Sequence, residues 1–217
     1  MPLTKDYIMR IVEVLSLTLQ KILSLKESHE FSKAFNELNK TALNIIGLDL
    51  FFLLPLPDTQ VIELLSIEKD TAPAKIYAAG ILLYEWANTK IAETNVLTQT
   101  TIFAKSLSLL IESYLEFEKE IIENHKQKIE EIFNLINTDL LPLHVLEKTF
   151  LYFKSVKKFA KAEDILFDLI EENKNYVKTG IVFYENLLLA NDEELNAGNL
   201  LRNEVIESLE KIRAMVL

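Results

Sequence analysis

The 217-residue chain contains no cysteine, which excludes a disulfide framework, a thiolate metal site and a cysteine nucleophile. Glycine and proline are scarce at four and five, too few for the frequent turns of an all-β sandwich, so helices are the expected element. The three histidines, His29, His125 and His144, are far apart in sequence, which narrows acid–base and metal chemistry. Positive charge is in deficit: 23 Lys and Arg against 33 Asp and Glu leave a net −10. That sign opposes docking on phosphate backbones or anionic lipid, so neither nucleic acid nor membrane is an expected partner. Long hydrophobic runs are missing too. Leu50 to Leu54 stops at Pro55 and Pro57, far short of the ~20 residues that span a bilayer. The opening MPLTKDYIMRIVEVLSL carries Asp6 and Glu13 where a signal peptide has an uninterrupted apolar core, so a mature cytoplasmic chain is expected. No Gly-rich phosphate loop, nucleophile elbow or metal signature occurs, and neither a cofactor nor an enzymatic activity is expected.

What is present is apolar surface in helical register. Hydrophobic residues make up 49% of the chain and the mean hydropathy is +0.14. That is more than a small monomer readily hides, and it favours an apolar groove or a homodimer seam. No composition shift divides the chain, so one all-helical domain over residues 1–217 is expected. Ile8, Ile11, Val12, Leu15, Leu19, Ile22 and Leu23 recur at helical spacing between Lys5 and Leu25. After a turn at Lys26 to His29, Phe31, Ala34, Phe35, Leu38, Ala42 and Ile45 form a second stripe, with Gly47 as its left-handed stop. The segment LDLFFLLPLPDTQ has neither helical nor strand period. It reads as a buried lid in which Phe51, Phe52 and Leu53 fill a gap, with a partner-docking plug as the alternative. Asp58 then suits the cap of a short helix ending at Leu65.

Pro73 suits the first turn of a helix reaching about Ala92. Its apolar residues surround it, which predicts a central position, and Gly80 within it predicts close helix contact. Following a turn at Glu93 to Asn95, Phe103, Leu107, Leu110, Ile111 and Tyr114 fall in register on a partner helix. Between Leu115 and Gln127 either one helix continues or a break falls near Phe117 to Glu120; a break is expected. Ile122, Ile129, Ile132, Phe133 and Ile136 give the next stripe, and Pro142 opens another helix. Toward the end, Val177, Gly180, Ile181, Tyr184, Leu187 and Leu188 form a helix, Asn191 and Asp192 turn the chain, and Leu201, Val205, Leu209, Ile212 and Val216 carry a final buried face.

The organising stretch is Leu146 to Asn173, LEKTFLYFKSVKKFAKAEDILFDLIEEN. Leu146, Phe150 and Phe153 make one seam, and Phe159, Ala162, Leu166 and Leu169 its partner. This hairpin resembles a tetratricopeptide repeat, two antiparallel helices with apolar and small residues at fixed offsets. Leu146, Phe153, Phe159, Ala162 and Leu166 match those offsets; bulky Phe150, Leu169, and Lys157 with Lys158 in place of the turn Gly and acid do not. Across nearly the whole chain, KDYIMRIVEVLSLTLQKIL, AEDILFDLI and DEELNAGNLLRNEV together resemble a bacterial family of tetratricopeptide-like proteins of uncharacterised function. Its members commonly have Leu-Pro-Arg where this chain has Leu200, Leu201 and Arg202. The resemblance implies an all-α fold of antiparallel hairpins stacked as a right-handed superhelix, and implies no catalytic residues.

In repeats of that shape the first helix of a hairpin lines the concave face, which here would expose His144, Glu147, Leu151, Lys154 and Ser155 as candidate partner-binding residues. Relatives that grip an acidic carboxyl terminus carry Lys and Asn at the positions of Glu147 and Leu151, so that clamp is absent. Lys154, Lys157, Lys158 and Lys161 cluster about the hairpin turn. They read either as a phosphate or acidic-tail site or, preferably, as a solvated face that offsets the helix dipole. His125, on the apolar face between Ile122 and Ile129, reads as a core histidine hydrogen-bonded to a neighbour rather than a catalyst or ligand. The leading expectation is a non-catalytic protein–protein interaction scaffold with a protein or peptide partner. The runner-up is a sensor for a small apolar ligand lined by Leu50 to Leu54, Tyr77, Tyr84 and Trp86.

Overall fold

The computed structural model describes residues 2–89, 96–116 and 125–215, and every regular element among them is helical. The turn expected at Glu93 to Asn95, the break near Phe117 to Glu120, Ile122 and Val216 lie outside the described residues. By density of contact the chain divides into two units, residues 1–137 and 138–217.

The first unit holds α1 (Pro2–Glu27), α2 (Phe31–Ile45), α3 (Leu50–Leu53), α4 (Asp58–Leu65), α5 (Ala72–Thr89), α6 (Val96–Glu116) and α7 (His125–Phe133). α1 buries Ile8, Ile11, Leu15 and Ile22, spaced three, four and seven apart, with Thr18 on the same line. Leu23 departs from the expected stripe and is 59% exposed, because one residue past Ile22 is a 100° rotation away from the core. The chain reverses at His29, whose φ is 57°. α2 then returns along α1 with Ala34, Leu38, Ala42 and Ile45 inward. Facing hydroxyls of Thr18 and Thr41 share a hydrogen bond of 3.0 Å across that seam. Gly47 ends α2 at φ 78°, as its position predicts.

α5 is the centre of this unit. Residues 78–84 are buried without a gap, and the helix packs along α6 as well as against α1, α2 and α4. Each large aliphatic side chain so buried stabilises the fold by about 1.5–3 kcal/mol. Gly80 permits the closest approach: a Cβ there would lie 2.8 Å from Leu110 Cγ. Hydroxyls of α6 meet the backbone of α5, Ser106 donating to Gly80 O (2.7 Å) and Ser113 to Pro73 O (2.9 Å). Small polar residues on α6 thus sit at the tightest part of the interface with their hydrogen-bonding groups satisfied.

In the second unit a 3₁₀ turn (Thr138–Leu140) leads into α8 (Leu143–Ser155) and α9 (Phe159–Glu172). A further 3₁₀ turn (Lys174–Tyr176) precedes α10 (Val177–Leu188), α11 (Asp192–Ala197) and α12 (Arg202–Ala214). All seven seam residues expected of the hairpin, Leu146, Phe150 and Phe153 on α8 and Phe159, Ala162, Leu166 and Leu169 on α9, are buried. Lys157 holds the turn with φ 59°, taking the left-handed conformation that the sequence gives no glycine to adopt. The α11–α12 turn is stitched to it: Ala160 N donates to Gly198 O (3.0 Å), and a Cβ on Gly198 would sit 2.8 Å from Lys157 O. Arg202 clasps the end of α10 from the start of α12, reaching Leu188 O (3.1 Å), Ala190 O (2.6 Å) and Asp192 (2.5 Å). Leu201, expected on the buried face of the final helix, is instead 48% exposed. It occupies the extended cap position, where its N–H donates to Glu204 (2.8 Å).

Candidate functional site

The corner from Asp49 to Asp58 is assembled by polar groups from three helices. Asp49 caps α3 by accepting from Phe51 N (2.7 Å), and it is itself fixed by Asn39 of α2, which donates to its Oδ2 (2.9 Å). The Asn39 carbonyl also accepts from Leu50 N (2.9 Å). From α6 the nearly buried Lys105 sends its ammonium to Leu53 O (3.2 Å) and Leu54 O (2.6 Å), the carbonyls that the end of α3 leaves open. Burial holds the Lys105 pKa below its ordinary value, an effect that the carboxylate of Asp58 only partly offsets. Asp58 begins α4, where it lies buried and accepts from the Ser108 hydroxyl of α6.

This scaffolding holds out the residues expected to be covered. Leu50 and Leu53, one turn apart, point inward at 1% and 0% exposure, whereas Phe51 and Phe52 are 60% and 51% exposed. The buried-lid reading is therefore corrected. A four-residue helix has one inward edge, and the two leucines occupy it. Sequence reasoning missed this because the cap that sets the phase of α3, Asn39 with Asp49, is completed by a residue ten positions earlier.

The rings named for a small-ligand pocket are packed. Tyr84 and Trp86 are buried against Phe103 and Phe35, with ring centroids 5.7 Å apart in each pair. Tyr77 meets His125 edge-on at 4.8 Å. His125 is buried, its Nε2 lies 3.0 Å from Leu110 O, and burial lowers its pKa to about 4, so the ring is neutral at pH 7. It is the core histidine that its phase predicts. Nearby, Tyr84 donates to Glu131, which also pairs with Lys128 (2.7 Å), while Lys26 lies 3.8 Å from Glu85. Burial raises the pKa of Glu85. Among the described residues no three His, Asp or Glu come together to hold a metal ion.

On α8 the five candidate residues behave differently from one another. Leu151 and Lys154 are exposed, and the Lys154 ammonium stands 6.0 Å over the Phe150 ring. Glu147 is half-buried and accepts from the Tyr176 hydroxyl, and His144 is half-buried in the first turn. The Ser155 hydroxyl turns back onto Tyr152 O (2.7 Å). Of the five, Lys154 lines a pocket, shared with Phe159, Phe183, Asn186, Leu187, Ala190 and Glu194. The contributions from α10 and α11 carry no signal in sequence, since Phe183 and Leu187 read simply as helix core.

These elements define an all-helical protein with two compact helical units, an aromatic corner on the first and a pocket with one lysine and one glutamate in its lining on the second. Over residues 2–216 the chain matches the family described as "Family of unknown function (DUF6483)", and it belongs to that family. No curated protein and no solved structure matches it. No helix among the described residues is long and apolar enough to cross a membrane.

Proposed function

We propose that the chain is a non-catalytic interaction protein of the bacterial cytoplasm. In this reading its hairpins are of the tetratricopeptide-like class, stacked in a right-handed sense, and it docks on another polypeptide through the corner at α3. One observation carries the docking reading: Phe51 and Phe52 stand half or more exposed on a helix that a buried lysine, a buried aspartate and a two-residue cap immobilise. Immobilising an apolar group before binding lowers the entropic cost of association, and large rings are favoured anchors at protein interfaces. The small-ligand reading has less support, because Tyr84 and Trp86 are occupied by core neighbours.

The test is a Phe51→Ser/Phe52→Ser double variant compared with the parent. Both changes lie on exposed side chains, so circular dichroism and Tm are expected to stay within experimental error. Crosslinking in lysate, or sedimentation if the partner is a second copy, is expected to recover a species with the parent that is lost with the variant. Identical recovery from both proteins would defeat the reading.

A further inference from the structure

The first unit has a half-open cleft of about 240 Å³ where the end of α2, the end of α4 and the start of α5 come together. Ile46 and Leu65 are its buried floor, and Leu48, Leu64 and Ile67 are its lip, with Leu64 38% and Ile67 78% exposed. The two charged residues in the lining, Glu68 and Lys75, pair with each other at 2.6 Å. A void of roughly 150 Å³ holds one benzene ring, so the cleft has room for one phenyl group. Leu48 stands three residues before Phe51, which puts the recess and the exposed rings of α3 on one corner.

Charge decides what can meet that corner. Two copies of a chain of net charge −10 repel one another except through a face that is poor in charge. From residue 41 to 67 the only charged residues are Asp49, Asp58 and Glu63. Asp49 is engaged in the cap of α3 and Asp58 is buried, so Glu63 is the one exposed charge among them. A charged partner finds little to pair with here, and a neutral apolar face finds little to repel it. At their exposures Phe51, Phe52, Leu64 and Ile67 present roughly 400 Å² of apolar surface, taking about 150–250 Å² for a whole large side chain. An interface of standard size takes about 800 Å² from each partner, a little over half of it apolar, so the corner supplies the apolar share of one.

We propose that this corner is a homodimer interface, in which a phenyl ring of the Phe51–Phe52 pair of each copy enters the cleft of the other. A closed twofold contact uses the same patch on both sides, so the patch must hold both a projection and a recess that fits it. Here α3 supplies the projection, and the cleft edged by Ile67 supplies the recess. A small-molecule occupant is less suited, since the cleft is half-open and smaller than the ~300–1,000 Å³ of ligand sites. The inference rests on the docking reading above and names its partner.

The experiment is sedimentation of the purified full chain, which is expected to be a dimer. Phe51→Ser/Phe52→Ser removes the rings and Ile67→Ser alters the lip without adding charge; each is expected to weaken the dimer about tenfold. An equimolar mixture of the two variants is expected to dimerise more tightly than either alone, because the ring of one meets the intact cleft of the other. Val182→Ser, at an exposed apolar position of the second unit, is expected to leave the dimer whole. Tm is measured throughout, and Leu64→Ser, at the other exposed lip residue, serves if Ile67→Ser fails to fold. A dimer that neither variant weakens, a mixture no tighter than its parts, or a dimer lost with Val182→Ser overturns the proposal. A monomeric parent overturns it as well: if a lysate crosslink is then lost with the Phe51/Phe52 variant, the docking reading stands with a different polypeptide, and if no crosslink is lost, both fall. An apolar small molecule retained in native mass spectrometry and released by Ile67→Ser overturns it in favour of a ligand.

Discussion

His125 shows how one side chain ties the fold to pH. It is 4% exposed, sits edge-on to Tyr77 and Tyr114, and is held near pKa 4 by burial, against about 6.5 in an unfolded chain. Between those values the unfolded chain binds the extra proton, so stability falls as pH is lowered through that window. The shift corresponds to about 3 kcal/mol, fully present above pH 6.5 and gone below pH 4. Urea melts of the parent should show that acid slope, and a His125→Phe variant should have a shallower one. Lys157 offers a gain instead. Its φ of 59° is strained for any residue with a Cβ, and the ion pair it makes with Glu194 is largely solvated and contributes little. Lys157→Gly should therefore raise stability by about 0.5–1 kcal/mol in the same melts.

Among the elements, α5 and α6 make the tightest pair, and Gly80 is what permits it. Gly80→Ala would drive a methyl to 2.8 Å from Leu110 Cγ and 3.3 Å from Ser106 O. An ordinary gain in helix propensity of about 1 kcal/mol is opposed by overpacking of about 1–3 kcal/mol, and a net fall in Tm is expected. The α3 corner depends on Lys105 in another way. Lys105→Met leaves two carbonyls without their donor, which costs about 1–3 kcal/mol. Hydrogen exchange should then quicken first at the amides of α3, whose own helix is only one turn long. α5 and the α8–α9 hairpin were legible in sequence because each is long enough for periodicity to show, and all seven seam residues of the hairpin lie where the pattern puts them. α3 was not, since a four-residue helix has no period and its phase is set by Asn39 and Lys105 from outside the segment.

For the molecule as a whole, charge and burial meet in one pH range. The net charge of −10 fades toward the isoelectric point near 4.9, inside the window where protonating His125 weakens the fold. Loss of mutual repulsion promotes association, and Phe51, Phe52 and Leu189 are already exposed. Static light scattering against pH should show aggregation rising as pH falls from 6.5 to 5, and His125→Phe should delay but not abolish it. Of the candidate pocket, sequence reasoning reached only Lys154 and the lysines about its turn. Its floor is drawn from α9, α10 and the turn after it, and core residues on separate helices give no hint of the gap they leave between them.

The bond from Lys105 to the carbonyls of Leu53 and Leu54 spans about fifty positions of chain. At a synthesis rate of about 5–20 residues per second, the anchor emerges roughly 3–10 seconds after the aromatic pair it steadies. Each newborn copy thus passes through an interval in which the two phenyl rings have no clasp beneath them.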